Sequence, residues 1–352
     1  MESNELLNEE MHEEMHEETI KEAFLAKKEM KYAGIFFFVI LLLQIPLSFV
    51  IYAIREQISP DSYYLVSILF TQGYLLVCAI IYLIIRKKRF TADLQFKKYK
   101  ISTFFLSLVV LITASPMATV FNLISQFFAK NNTSEAILEI SEKLPMWLGV
   151  IVVGCLPGFI EETIYRGIMY QAFRKRSVMT GIVVSALSFG LMHMNFNQIL
   201  YAIYLGVVFA LLVEATGSIC STMILHMLFN GMNTMYLYLL PKLLRFLSLF
   251  SKEVADMYLD SNGNVNMTEL VSNNPTTGQL MASLVIYLPL GVAGFVLTIL
   301  LLKAIAKING REYTFQSMLG DKRITSVVKP VTVSLVLGWI FCLITAVMAL
   351  MG

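Results

Sequence analysis

Nine apolar segments, each at least 17 residues long, divide this chain of 352 residues and dictate its fold class. A helix needs ~20 apolar residues to cross the ~30 Å hydrocarbon layer of a bilayer, and only helices or closed barrels satisfy their backbone hydrogen bonds there. The sequence therefore predicts an all-α, polytopic transmembrane helical bundle with about eight or nine spans. The segments lie at roughly 33–54, 63–85, 101–129, 145–172, 178–195, 198–214, 217–240, 280–302 and 331–351. The fifth and sixth are short and could form a helical hairpin that does not fully cross.

The composition agrees with a membrane protein. Charged residues make up 15% of the chain and hydrophobic residues 57%, whereas a soluble domain carries ~25% charged residues. All four cysteines lie in apolar segments, and no pair has the spacing of a metal site. This pattern is typical of buried packing residues and not of a disulfide framework.

The positions of the basic residues predict the orientation in the membrane. With the N-terminus inside, twenty Lys and Arg residues fall in the inner segments and six in the outer segments. Cytoplasmic segments are the ones that carry such an excess. We therefore expect residues 1–32 to be a polar, acidic cytoplasmic tail and residues 33–352 to be the membrane domain. Nine spans would place the C-terminus outside.

Two adjacent glutamates and an arginine lie inside the fourth apolar segment. A charged side chain at the membrane centre costs at least ~2.5 kcal/mol, so such residues usually face a protein interior. Glu162 and Arg166 are i,i+4 neighbours on a helix and can form an ion pair, whereas Glu161 is rotated by about 100° and faces a different partner. We therefore predict that Glu162 and Arg166 support the site and that Glu161 transfers protons. The alternative is an interhelical salt bridge that only fixes packing.

Two histidines lie in other apolar segments. His193 ends the sequence F-G-L-M-H, and His226 begins H-M-L-F-N. The i,i+4 spacing places His226 and Asn230 on one helix face, which Asn233 continues. The two are the only histidines outside the N-terminal tail, which favours a joint role. The alternative is an interhelical polar seam, worth only ~0.6 kcal/mol per hydrogen bond.

The three motifs E-E-x-x-x-R, F-x-x-x-H and H-x-x-x-N occur in this order on successive predicted helices. In this arrangement the chain resembles the CPBP family. That family joins the type II CAAX prenyl proteases to bacterial bacteriocin-processing and immunity (Abi-type) membrane proteins. The resemblance covers about residues 145–240, which we expect to form the catalytic core.

The resemblance implies an intramembrane endopeptidase that cleaves membrane-anchored peptides or protein tails, in the plasma membrane of a bacterium. Glu161 and His193 would activate a water, His226 and Asn230 would stabilise the oxyanion, and the ion pair of the first motif would brace the site. If a divalent metal such as zinc is used, Glu161, His193 and His226 would ligate it, with a fourth position open. The same residues could also act without a metal. The expected partners are a peptide or membrane-anchored protein substrate and the lipid bilayer, with no nucleic acid.

Other functions remain open from the residues alone. A non-enzymatic immunity or scaffold protein of the same fold could use the polar cluster to bind a partner. A transporter fits less well, because the polar residues cluster in one short region and no internal repeat is present. The predicted spans contain no Asp, and the chain has no G-x-S-x-G motif, which argues against other intramembrane protease chemistries.

Overall fold

The computed structural model describes residues 2–260, 263–265, 267 and 275–351. The protein is 83% helical, and the described residues contain no strand beyond one isolated bridge between Leu259 and Val265. Within the described ranges, seven helices are long and apolar enough to cross a membrane. The predicted all-α, polytopic bundle is therefore confirmed, and the protein is an integral membrane protein.

Ten long helical segments account for most of the fold. Among the described residues, short α-helices lie between them at Phe90–Asp93, Lys252–Tyr258, Phe315–Leu319 and Lys322–Val327, and a 3-10 turn lies at Arg55–Gln57. The long segments are α1 (Glu2–Ile54), α2 (Pro60–Ile85), α3 (Ile101–Ser125), α4 (Asn132–Lys143), α5 (Met146–Phe173), α6 (Val178–Met192), α7 (Phe196–Thr216), α8 (Cys220–Ser248), α9 (Thr277–Ile308) and α10 (Val333–Met351).

Each of the nine apolar segments coincides with a helix, but two of these helices differ from the seven candidate spans. The fifth segment forms α6, which is apolar but only 15 residues long. The seventh lies in α8, which is 29 residues long and more polar. The count of eight or nine spans therefore stays a prediction. The predicted tail is continuous with the first span, because α1 runs from Glu2 to Ile54.

The helices pack around two main groups of buried apolar side chains. One group joins α1, α2, α5, α6 and α10, and it reaches into the tail as far as Met30, whose side chain is buried. The other joins α3, α7, α8 and α9. In contrast, the outer faces of α2, α9 and α10 expose many large apolar side chains, as expected of surfaces that meet lipid.

The four basic segments assigned to the inside meet at one end of the bundle. Glu29 of α1 forms ion pairs with Arg86 (3.1 Å) and Lys88 (3.0 Å) after α2. Arg176, between α5 and α6, donates a hydrogen bond to the carbonyl of Val328 (2.6 Å). The segment 86–100 also contacts 303–330, through a hydrogen bond from the Lys100 ammonium to the end of α9. These segments therefore lie on the same side of the membrane, as the charge pattern requires.

Candidate active site

The glutamate pair lies in α5, a helix with two wide turns. Its α-helical parts, at Met146–Gly149, Leu156–Glu162 and Tyr170–Phe173, are separated by π-helical stretches at Val150–Cys155 and Thr163–Met169. Such π turns often occur at functional sites. The second begins directly after Glu162, so the glutamates lie at the junction between the two helix types.

Glycines on α5 allow α8 to approach the glutamates closely. A Cβ atom on Gly158 would lie 2.8 Å from the backbone nitrogen of Met227, and one on Gly154 would lie 2.9 Å from the Cα of Gly231. Small residues are the usual means by which membrane helices come this close. The contact at Met227 brings its neighbour His226 to the level of the glutamates.

Glu162, Arg166 and His226 form a buried cluster centred on one carboxylate oxygen. Arg166 Nη1 donates to Glu162 Oε1 at 2.8 Å, and the side chains of both residues are fully buried. His226 Nδ1 lies 2.9 Å from the same oxygen. Arg166 also donates to the carbonyl of Gly206 on α7 at 3.3 Å. The i,i+4 ion pair expected from the sequence is therefore present, and it also holds the imidazole.

Glu161 lies on the other side of the same imidazole. Its Oε2 atom is 3.8 Å from His226 Nε2, which is too long for a direct hydrogen bond. The residue is buried, with 7% of its surface exposed. His226 therefore lies between two carboxylates, one held by Arg166 and one facing the imidazole across a short gap.

Phe189 connects the arginine with both histidines. Its ring lies 4.4 Å from the Arg166 guanidinium, and ring centroids lie 5.1 Å from His193 and 5.5 Å from His226. Phe209 of α7, which the sequence analysis did not identify, lies 5.3 Å from the same guanidinium. Cation–π contacts of this kind help to stabilise a buried arginine. The structure thus brings the three motifs together around one aromatic ring.

His193 ends α6, where the chain turns sharply toward α7. Its Nδ1 atom lies 2.9 Å from the carbonyl of Phe189. A carbonyl only accepts, so Nδ1 carries the proton and Nε2 of the neutral ring is free to accept a hydrogen bond. The next residue, Met194, has a φ of 49°, a left-handed conformation that is uncommon outside glycine. This tight turn fixes the imidazole against the ring of Phe189, whose centroid lies 5.1 Å away.

The polar face of α8 becomes more exposed with distance from His226. Asn230 is half-buried one turn further along the helix, and Asn233 is exposed. The backbone carbonyl of Asn230 accepts a hydrogen bond from Thr234 Oγ1 at 2.8 Å. This face therefore leads from the buried imidazole toward the end of the bundle opposite the basic segments.

The zinc site that the family resemblance would allow does not form in this structure. A zinc ion requires several His, Cys, Asp or Glu side chains to converge on it. In the part of the chain that the structure describes, no group of three or more such side chains could hold a metal ion. Glu161, His193 and His226 therefore do not fit a zinc site in this structure.

The sequence did not identify Glu214, a buried carboxylate outside the site. Glu214, near the end of α7, forms ion pairs with Arg174 (2.9 Å) and Arg311 (3.1 Å) and accepts a hydrogen bond from the Tyr170 hydroxyl. The only sequence signal was an acidic residue at the end of a predicted span. Its partners lie 40 and 97 positions away in the chain. This cluster links α5, α7 and the segment after α9 at the basic end of the bundle.

Comparisons with known proteins give one match. No curated protein and no solved structure matches the chain significantly. Residues 143–232 match the family model described as Type II CAAX prenyl endopeptidase Rce1-like. This segment contains all three motifs and every residue of the cluster described above. The match confirms the resemblance to the CPBP family over residues 143–232 and, at the level of the family, supports a CAAX-type membrane protease.

Proposed function

We propose that this protein is an intramembrane endopeptidase that cleaves membrane-anchored peptides or protein tails with a water activated by Glu161 and His193. The observation that carries the proposal is the unequal environment of the two glutamates. Glu162 is paired with Arg166 at 2.8 Å, whereas Glu161 faces His226 at 3.8 Å. Hydrolysis needs a fixed charge that orients the site and a second carboxylate that moves a proton, and these two residues supply both.

In the first step, Glu161 removes a proton from a water molecule while His193 Nε2 accepts a hydrogen bond from the same water. The water oxygen attacks the scissile carbonyl carbon, and the carbonyl π electrons move to its oxygen. In the second step, the tetrahedral intermediate collapses, the C–N bond breaks, and Glu161 returns the proton to the leaving amine. Glu161 therefore acts first as a general base and then as a general acid.

The oxyanion is stabilised by His226 and Asn230. Glu162 accepts a hydrogen bond from His226 Nδ1, which fixes the orientation of the ring. When both ring nitrogens carry a proton, His226 Nδ1–H binds Glu162 and Nε2–H can donate to the developing negative charge. Asn230 supplies an amide donor from the next turn of α8. Glu162 and Arg166 act as positioning residues, because they hold the imidazole without contacting the substrate.

The proposal also includes the orientation of the protein in the membrane. The excess of basic residues at one end of the bundle supports a cytoplasmic N-terminus. The resemblance to the CPBP family adds a bacterial plasma membrane to the proposal. Residues 1–32 then extend α1 into the cytoplasm, and residues 145–240 form the catalytic core of the membrane domain.

The variant Glu161→Gln tests the proposal even when the substrate has not been identified. The exchange keeps the shape and hydrogen bonding of the side chain but removes the base. Membranes that contain the wild-type protein should yield new peptide termini, in or beside apolar segments, that are absent with Glu161→Gln. Quantitative mass spectrometry of membrane peptides measures this, and Glu253→Gln, at an exposed position, is the matched control.

The same experiment separates the protease from a non-enzymatic immunity or scaffold protein. A scaffold requires only that the fold and its surface persist, so Glu161→Gln would retain full biological activity. Identical sets of peptide termini from wild type and from a normally inserted Glu161→Gln variant would rule out the protease.

A further inference from the structure

A cavity of about 400 Å³ lies between α3, α4, α7 and α8. Its volume is in the range of sites that bind small ligands or short peptide segments. Its wall mixes apolar side chains with amides, and none of its lining residues in the described part of the chain is charged. The amide side chains belong to Asn122, Asn131, Asn197 and Asn233.

The cavity lies beside the helix that carries His226. Phe229 and Asn233 line it from α8, about one and two turns beyond His226. Asn131 and Ser134, at the start of α4, line it from the end of the bundle opposite the basic segments. The cavity therefore continues along α8 from the level of the catalytic cluster toward that end.

A chain of three amides ends at the wall of the cavity with an unused donor. Gln126 Nε2 donates to Asn122 Oδ1 at 2.7 Å, and Asn122 Nδ2 donates to Asn197 Oδ1 at 3.4 Å. Asn197 is fully buried, and no atom of the described residues accepts a hydrogen bond from its Nδ2. A buried donor without a partner costs ~1–3 kcal/mol. An unsatisfied donor of this kind needs a physical explanation, and a ligand in the cavity that supplies the acceptor would provide one.

We propose that this cavity binds a short, uncharged stretch of the peptide substrate in extended form, with Asn197 Nδ2 donating to one of its backbone carbonyls. The inference rests on the proposed endopeptidase and deepens it, since it locates the substrate beside the helix that carries His226 and names its chemical class. An extended peptide presents a carbonyl at every residue. An acyl chain of a lipid, in contrast, offers no acceptor to the amide.

The lining also determines which side chains the cavity accepts. Because none of the described lining residues carries a charge, a substrate Asp or Lys would lose its hydration without gaining a partner. Small and apolar substrate residues would pack against Leu111, Ile112 and Phe229. We therefore expect the protein to select substrates that have uncharged residues on this side of the scissile bond.

Peptide binding to the Glu161→Gln protein tests the proposal, since that background prevents turnover. The probes are two short, N-palmitoylated fluorescent peptides of Ala, Val and Leu, one of which carries an Asp and a Lys at its centre. Fluorescence anisotropy in nanodiscs should show binding of the uncharged peptide and about tenfold weaker binding of the charged one. Adding Asn197→Leu should weaken binding of the uncharged peptide about tenfold, as expected from the loss of one hydrogen bond.

The control is Asn309→Leu, which removes a partly buried amide at the opposite end of the bundle. Asn309 Nδ2 is already bonded to Thr103 and Ile305, so this variant should bind the peptide as its parent does. A second variant, Ser115→Trp, fills the cavity from α3 and should abolish binding even if Asn197→Leu folds poorly.

The outcomes distinguish a failure of the proposed binding site from a failure of the proposed protease activity. If a peptide binds in the cavity and yet is never cleaved by the wild-type protein, that result would support the proposed binding site and count against the proposed protease activity. Cleavage that Ser115→Trp does not change would overturn the proposed binding site but remain consistent with the proposed protease activity. No binding of the uncharged peptide overturns the inference. A tightly bound phospholipid would also overturn the inference if Ser115→Trp removes it and the peptide does not displace it. Native mass spectrometry detects such a lipid.

Discussion

Glu161 and Glu162 are neighbours in the chain, yet their side chains meet different partners. Glu162 is fully buried and shares one oxygen between Arg166 and His226. A carboxylate in this position is neutralised and held in place, so it cannot readily take a proton from water. Glu161 lies 3.8 Å from the imidazole, too far for a direct hydrogen bond to it. In the proposed mechanism, Glu162 therefore has the structural role and Glu161 the chemical one.

Arg166→Ala should lower the abundance and thermal stability of the protein, because it leaves the Glu162 carboxylate buried without its main partner. Breaking a buried pair in this way costs ~3–5 kcal/mol. The double variant Glu162→Gln with Arg166→Met should recover part of this loss, because no orphan charge remains. Thermal melting of the purified variants in detergent measures both effects.

Arg323→Ala is the matched control for this comparison. Arg323 pairs with Asp321 at 2.7 Å, but its side chain is 55% exposed, and exposed ion pairs contribute at most ~1 kcal/mol. If Arg166→Ala melts like wild type while Glu161→Gln collapses, then the roles of the two glutamates are reversed.

At the scale of elements, the close approach of α5 and α8 builds the site. Gly158 permits it, because any side chain there would meet the backbone of Met227. The glutamates are one turn from this contact on α5, and His226 is adjacent to it on α8. A small change in the distance between the two helices would therefore move the imidazole relative to both carboxylates.

Gly158→Ala should destabilise the protein by ~1–3 kcal/mol, as overpacking does elsewhere, and should reduce turnover by more than its effect on abundance explains. Thermal melting and the yield of new peptide termini measure the two effects. Gly73→Ala on α2 is the control, because no atom of the described chain lies within 4 Å of an added Cβ there. That variant should be neutral or slightly stabilising, since alanine favours a helix. Equal behaviour of the two variants would show that the helices have room to separate.

At the scale of the whole molecule, the bundle has two chemically different ends. The basic segments gather at one end, where Glu29 and Glu214 supply countercharges. The uncharged cavity opens toward the other end. This polarity supports one orientation in the membrane, with the basic end in the cytoplasm.

Reporter fusions test that orientation. Fusions after residues 90, 176 and 315 should all report the cytoplasm, because these positions belong to segments that meet at the basic end. A fusion after residue 251, just beyond α8, should report the outside. Two of the first three reporting the outside would contradict the proposed topology.

Local spacing alone accounted for much of the site. Apolar segments of spanning length determine helices in a bilayer, because backbone groups there have no other partners. The i,i+4 spacing likewise determines that Glu162 meets Arg166 within one helix. These features depend on helix geometry and on the solvent, so the sequence was sufficient to predict them.

Contacts between helices depended on the tertiary structure. His226 meets Glu162 from 64 positions away, and this requires the close approach that Gly158 permits. Asn197 joins Asn122 across 75 positions, and Glu214 finds Arg311 across 97. No local spacing encodes such pairs, because the rotation and separation of packed helices are set by the shapes of all the side chains between them. The sequence by itself therefore determined the helices and the chemical groups they carry, whereas only the tertiary structure decided which groups face one another.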